Sequence, residues 1–241
     1  MIKEISSTRT RTPRQVATLR AKNRVAPRLV HGMRMNADEF LRIYETMPED
    51  KKAELIDGVV YMFLKLLSSE WHGEPDGLLQ YWMASYAFQT PGIVTTPNST
   101  VRLGIKSVPQ PDGILRLKPE YGGKTRLDEK GCIVGPVEFA AQIAASSAAL
   151  DLGKRLQAYC NEGVQEYLVW CTKSETVHWF HLLNGQYVPF VPDQDGVIRS
   201  RVFPGLWLDA DALLKGDSKQ LLTVLKRGMK SAEYKRFVKR K

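Results

Sequence analysis

The 241 residues contain no apolar run approaching the roughly 18 to 20 residues that a bilayer-spanning helix requires. The N-terminal stretch is basic and polar, without the apolar core of a secretory signal. Both absences lead to the expectation of a cytoplasmic protein with no membrane partner. Cysteine is scarce: Cys132, Cys160 and Cys171 are odd in number and lack the close pairing of a zinc site or a disulfide framework, which leaves ordinary thiols. Without a secretory signal, the sequon Asn98-Ser99-Thr100 reads as a polar turn.

Negative charge is scarce at both ends. From Met1 to Val30 eight bases, among them Arg9, Arg11, Arg14 and Arg20, stand against Glu4 alone. From Lys226 to Lys241 eight more, including Lys235 and Arg236, stand against Glu233 alone. Since the whole chain carries +9, the middle is acidic and the basicity belongs to the ends. Two readings stay open: solvated tails, or basic arms that meet phosphate backbones. The expected layout is a basic arm over 1–30, with a short helix around Gln15 to Lys22, one domain over 31–217 and a basic tail over 218–241.

What is present suffices for a core, because 43% of the residues are hydrophobic, which excludes disorder of the whole chain. Asn36 and Glu39 form a capping-box pattern ahead of Phe40, Ile43, Tyr44 and Met47, so a first helix begins there. Glu54 to Met62 reads as two short strands joined at Asp57-Gly58, the strongest short-range hairpin signal. A second, largely buried helix runs from Trp71 to Phe88. Strands are expected at Ile93–Thr96, Thr100–Leu103, Gly113–Leu117 and Val137–Ala144, then a helix from about Ala148 to Asn161, stopped by Gly163. Glu166–Cys171 and a hairpin across Asn184-Gly185 follow. The order predicts an α/β fold with a mixed sheet covered by helices.

Three polar groups mark strand ends in this pattern. Asp112 opens the strand after Gln110-Pro111, Glu54 opens the first hairpin, and Gln142 lies near the end of the Phe139–Ala144 strand. A carboxylate on a rigid element suits a metal site, whereas each residue alone is an ordinary turn former or surface group. His72 opens the second helix and is either a site-mouth residue or a surface histidine. Ser146-Ser147 reads as a helix N-cap, with the alternative that its backbone N–H groups face a phosphate. His178 and His181 point to opposite faces of a strand, and Glu138 is about 13 Å along the strand from Gln142, so none of these three joins the set.

Taken together, Ala53-Glu54-Leu55-Ile56-Asp57-Gly58, His72, Gln110-Pro111-Asp112, Glu138 through Asp151, Gln157-Ala158-Tyr159 and Gly163 to Trp170 make the chain resemble the Uma-type family of restriction endonucleases. That family is a bacterial branch of the PD-(D/E)XK nuclease superfamily, and the resemblance covers roughly Met35 to Asp217. It implies a restriction-endonuclease-like mixed β-sheet flanked by helices, with an added β-hairpin. It also implies a DNA phosphodiesterase site in which Glu54, Asp112 and the residue at position 142 hold Mg²⁺ or Mn²⁺. Asp57, His72, Ser146 and Asp151 fall within the matching stretches as secondary candidates.

The chain departs from the family pattern in the acidic and basic members of that site. Position 142 is a neutral Gln where a glutamate is expected; its amide oxygen can ligate, with one unit of charge lost. Ala144 stands where a lysine is expected, and Arg155, beside Lys154, occupies the alternative place four residues after Asp151. Arginine keeps the charge but is a poor base. Position 76 is Asp where many relatives have a second histidine. Two functions follow as expectations: an attenuated metal-dependent DNA endonuclease, or a catalytically silent homologue that binds nucleic acid or a protein partner, a homodimer among them, through its basic arms.

Overall fold

A computed structural model describes residues 28–63 and 68–239 of the chain. Asn36 caps the first helix as its sequence dictates, its side-chain oxygen accepting from Glu39 N at 2.9 Å. Helix α1 (Ala37–Tyr44) buries Ala37, Phe40 and Ile43. The Asp57-Gly58 turn, with φ of 47° and 76°, joins β1 (Lys52–Ile56) to antiparallel β2 (Val59–Phe63), as a two-residue loop with both φ positive requires. This hairpin packs with α1 in its own apolar cluster. Leu29 belongs to that cluster, so the folded unit starts before residue 31. The remainder of the expected N-terminal arm, with Arg9, Arg11, Arg14 and Arg20, lies outside the described residues.

A π-helical turn (Ser69–Gly73) leads into α2 (Glu74–Ala87). Then follow β3 (Ile93–Pro97), β4 (Val101–Arg102), β5 (Gly113–Leu117), β6 (Arg126–Leu127), β7 (Ile133–Val134) and β8 (Phe139–Ile143). One continuous helical segment comes next, made of α3 (Ala148–Leu150), a π-helical turn (Asp151–Arg155) and α4 (Leu156–Glu162). Gly163 ends it in the left-handed region, at φ 85°. The chain continues through β9 (Glu166–Cys171), β10 (Thr176–Leu183), β11 (Gln186–Pro189), β12 (Val197–Arg199) and β13 (Trp207–Asp209).

Six strands form the central sheet in the order β11-β10-β9-β8-β5-β3. Within this sheet β8 and β9 are the one parallel pair, because the α3–α4 segment carries the chain back across the sheet between them; β9–β10 and β10–β11 are antiparallel across short loops, and the antiparallel β3–β5 and β5–β8 pairs are joined by longer excursions that hold β4, β6 and β7. Strands β5, β8 and β9 are buried along their whole length, as expected for strands covered on both faces. Alternation sorts their side chains. Leu115, Phe139, Ala141 and Ile143 meet α2 in one core, while Ile114 and Ala140 meet the α3–α4 segment in the other. Asp112 and Gln142 share the parity of Ile114 and Ala140, and that places both under the α3–α4 segment.

The C-terminus differs from the expected tail. Residues after Asp217 form α6 (Ser218–Met229) and α7 (Ala232–Lys239), following the short α5 (Ala210–Leu214). Leu221 and Leu225 join Leu79 and Trp82 in the main core, and Tyr234 and Phe237 pack against it. Lys235 and Arg236 are therefore exposed residues of a packed helix. No helix among the described residues is long and apolar enough to cross a membrane.

Candidate active site

The sheet brings together residues that are far apart in sequence. Asp112 immediately precedes β5, where the next residue must be small: a Cβ at Gly113 would lie 2.7 Å from Met83 Sδ of α2. Gln142 on the neighbouring β8 donates from Nε2 to Asp112 Oδ2 at 2.8 Å, and Ile143 N donates to the same oxygen at 2.8 Å. The carboxylate is thus oriented by a backbone amide and a side-chain amide on one strand. Glu54, in the middle of β1, accepts from Arg155 Nη1 at 2.7 Å. The same Nη1 donates to Gln142 Oε1 at 3.2 Å, so Arg155 links the hairpin to the sheet.

Asp151 and Arg155 belong to the π-helical turn, four residues apart and both buried. Arg155 Nε lies 2.9 Å from Asp151 Oδ1, a close charge contact without the alignment of a hydrogen bond. Burial raises the Glu54 and Asp151 carboxyls above their ordinary values, and Arg155 holds both rises back. Burial opposes the charge on Arg155, but Glu54 and Asp151, with Tyr159 and Tyr167, keep it firmly protonated. The guanidinium is 1% exposed. It is a fixed internal cation at the centre of a carboxylate cluster.

His72 enters from the other π-helical turn, its Nε2 3.6 Å from Asp112 Oδ1. That contact raises the imidazole's pKa, against its partial burial. These groups line a cleft of about 520 Å³, with Ser146 and Ser147 on its wall. Ser147 stands at the N-cap position of α3, yet its hydroxyl makes no cap bond; its carbonyl accepts from Leu150 N and Asp151 N instead.

Of the residues singled out in the sequence, Glu54, Asp112, Gln142, Arg155, His72 and Ser146 meet at the cleft, with Asp151 behind it against Arg155. Lys154 and Asp57 do not. Lys154 is exposed and off the cleft lining, because neighbouring residues of a helix point about 100° apart and Arg155 takes the inward direction. Asp57 sits in the hairpin turn, where its N–H donates to Ser107 Oγ at 3.3 Å and its charge acts on Glu162. Lys52, Phe63, Trp71, Asn98 and Lys173 line the cleft without having been singled out. Only Asn98, in its polar Asn-Ser-Thr turn, carried any local signal.

The oxygens that remain uncommitted fit a hard divalent cation. Among the described residues Asp112 Oδ1 and Glu54 Oε1 accept no hydrogen bond; the cations near them are His72, 3.6 Å from Asp112 Oδ1, and Lys52, 3.9 Å from Glu54 Oε1. Gln142 Oε1 is a neutral third donor, shared with Arg155. Oxygen donors of this kind suit Mg²⁺ or Mn²⁺, although the described residues contain no cluster of three or more acidic, His or Cys ligands arranged for a metal.

The chain is thus an α/β domain in which helices cover both faces of a mixed sheet and a polar cleft opens beside β1, β5 and β8. A crystal structure described as "a putative nuclease belonging to DUF820", from Anabaena variabilis ATCC 29413, shares this fold with a TM-score of 0.58 and 15% identity, covering 75% of this chain and 98% of the other. The family model described as "Uma2: Putative restriction endonuclease" matches residues 37–211, and the chain belongs to that family. No curated protein matches the sequence.

Proposed function

We propose that the cleft hydrolyses DNA phosphodiester bonds by attenuated, divalent-metal-dependent chemistry of the PD-(D/E)XK type. The observation that supports this is the convergence of Glu54, Asp112, Gln142 and Arg155, from four separate elements, on one cleft of a chain from this family. Asp112 and Glu54, with the Gln142 amide oxygen, would hold Mg²⁺ or Mn²⁺, which supplies an activated water and charge on a non-bridging phosphate oxygen. Ile143 N–H and the Gln142 amide orient Asp112. Arg155 fixes Glu54 and Gln142 in place. Lys52 and Lys173 on the lining draw a phosphate inward.

The attenuation has two causes. Gln142 removes a negative charge from the ion's surroundings, which lowers affinity. Arg155 stays protonated and its charge is committed to Glu54 and Asp151, so it takes no proton from water. The committed guanidinium also favours a second reading, a silent homologue that binds nucleic acid, with Lys235 and Arg236 contributing phosphate contacts.

Cleavage of supercoiled plasmid and of single-stranded circular DNA in Mg²⁺ and Mn²⁺ tests both. Slow nicking by the parent, its loss in Asp112→Ala and its increase in Gln142→Glu are expected. Nicking that survives Asp112→Ala would overturn the site. No nicking even by Gln142→Glu combined with Arg155→Lys selects the silent reading.

A further inference from the structure

The lining of the cleft is not what contact with a duplex backbone alone requires. Glu54 and Asp112 are each 1% exposed and Gln142 6%, so the oriented carboxylate lies at the bottom of the cleft. The walls above it include Met62, Phe63 and Trp71. Apolar and aromatic walls with a few convergent polar groups are the make-up of a site that encloses a small organic group, and about 520 Å³ falls within the usual volume of such sites. Lys52 Nζ and Arg155 Cζ each lie 5.9 Å from the Phe63 ring centroid, so cationic and aromatic surfaces adjoin on one wall.

We infer that the cleft recognises an unpaired nucleobase beside the phosphate, and that the substrate is single-stranded DNA. The inference rests on the phosphodiester reading of the same site and narrows its substrate. In a duplex the bases are stacked inward, and an aromatic wall beside the scissile phosphate has no partner unless a base is extruded at a cost; a single strand presents its bases freely. Glu49 and Asp50 also lie on the lining, and these carboxylates disfavour a second phosphate chain alongside the first. Trp71 is the main stacking surface. Its backbone is fixed independently of the ring, because its carbonyl accepts from Thr172 Oγ1 at 2.8 Å.

Fluorescence anisotropy in EDTA, at a salt concentration that suppresses non-specific binding by basic residues, compares three labelled probes: a mixed-sequence single strand, the same strand with abasic sites at its centre, and the blunt duplex. Stacking on an aromatic side chain is worth roughly tenfold in affinity per base. The intact strand should therefore bind about tenfold more tightly than the abasic strand and the duplex, and Trp71→Ala should reduce that preference to near unity. Equal binding of the intact and abasic strands by the parent overturns the inference, with no variant needed. A Trp71→Ala protein that melts like the parent and keeps the preference also overturns it. Base-dependent binding without cleavage of plasmid or single strand would sink the hydrolytic reading and leave the recognition site standing. Cleavage that depends on Asp112, without base preference, does the reverse.

Discussion

Replacing Arg155 with Met removes the buried cation while nearly preserving volume. Buried Asp151 then loses its Arg155 ion pair, and buried Glu54 keeps only the more distant Lys52, 3.9 Å from its Oε1, among the described residues. Removing one member of a buried ion pair costs about 3–5 kcal/mol, because the remaining charge is desolvated and unpaired. For a domain of this size that corresponds to a fall in melting temperature of roughly 6 to 20 °C. The pH dependence has a definite sign. Burial already raises both carboxyls with Arg155 present; without it they rise further, so the folded variant binds protons more tightly than its unfolded chain. Stability is then fully present below the ordinary carboxylate pKa values, 4.5 for Glu54 and 3.8 for Asp151, and is lost as pH rises through the new folded values. The deficit of Arg155→Met relative to the parent should grow from acidic toward neutral pH in urea denaturation. Adding Glu54→Gln and Asp151→Asn should recover much of the loss, since no unpaired charge remains. A variant within about 1 kcal/mol of the parent at neutral pH, or a deficit that grows on acidification, refutes the account of Arg155 as an internal counter-ion.

Gln142→Glu places a carboxylate oxygen where Nε2 now donates to Asp112 Oδ2, so the metal-free variant should melt lower than the parent. Saturating Mn²⁺ should raise its melting temperature more than the parent's, by about 3 kcal/mol of stability at a hundredfold excess over Kd, measurable by calorimetry. Glu166, whose carboxylate accepts from Ser200 Oγ and from Arg201 and Val202 N, is pushed by burial from 4.5 up to about 7. The parent should therefore lose on the order of 3 kcal/mol between those pH values, and Glu166→Gln should flatten that slope in pH-resolved urea titrations. Leu225→Ala should cost about 2–5 kcal/mol by thermal melting, whereas a solvated C-terminal tail would register no change.

Much of the fold could be read in the sequence because its signals are local. Asn36 and Glu39 mark a helix start, Asp57-Gly58 marks a two-residue hairpin, Gly163 marks a helix stop, and apolar alternation marks β5 and β8; each depends on residues a few positions apart. Leu221, Val224 and Leu225 at three- and four-residue spacing also carried a helical signal, but the density of positive charge after Lys226 favoured a tail, and charge counts take no account of buried apolar faces. Alternation alone puts Asp112 and Gln142 on one side of their strands.

What local patterns could not provide was distance and direction across the fold. Glu54 and Arg155 are separated by 101 positions and come within 2.7 Å only because the hairpin packs beside the sheet under the α3–α4 segment. The choice between Lys154 and Arg155 depended on which residue a π-helical turn directs inward, and three positions along β1 and its turn separate Glu54, which lines the cleft, from the remote Asp57. Sequence fixed the chemical identity of the groups and their local frames. Tertiary packing decided which of them share one desolvated volume, because Coulomb energy and hydrogen-bond geometry depend on separations of a few ångströms that no spacing along the chain encodes.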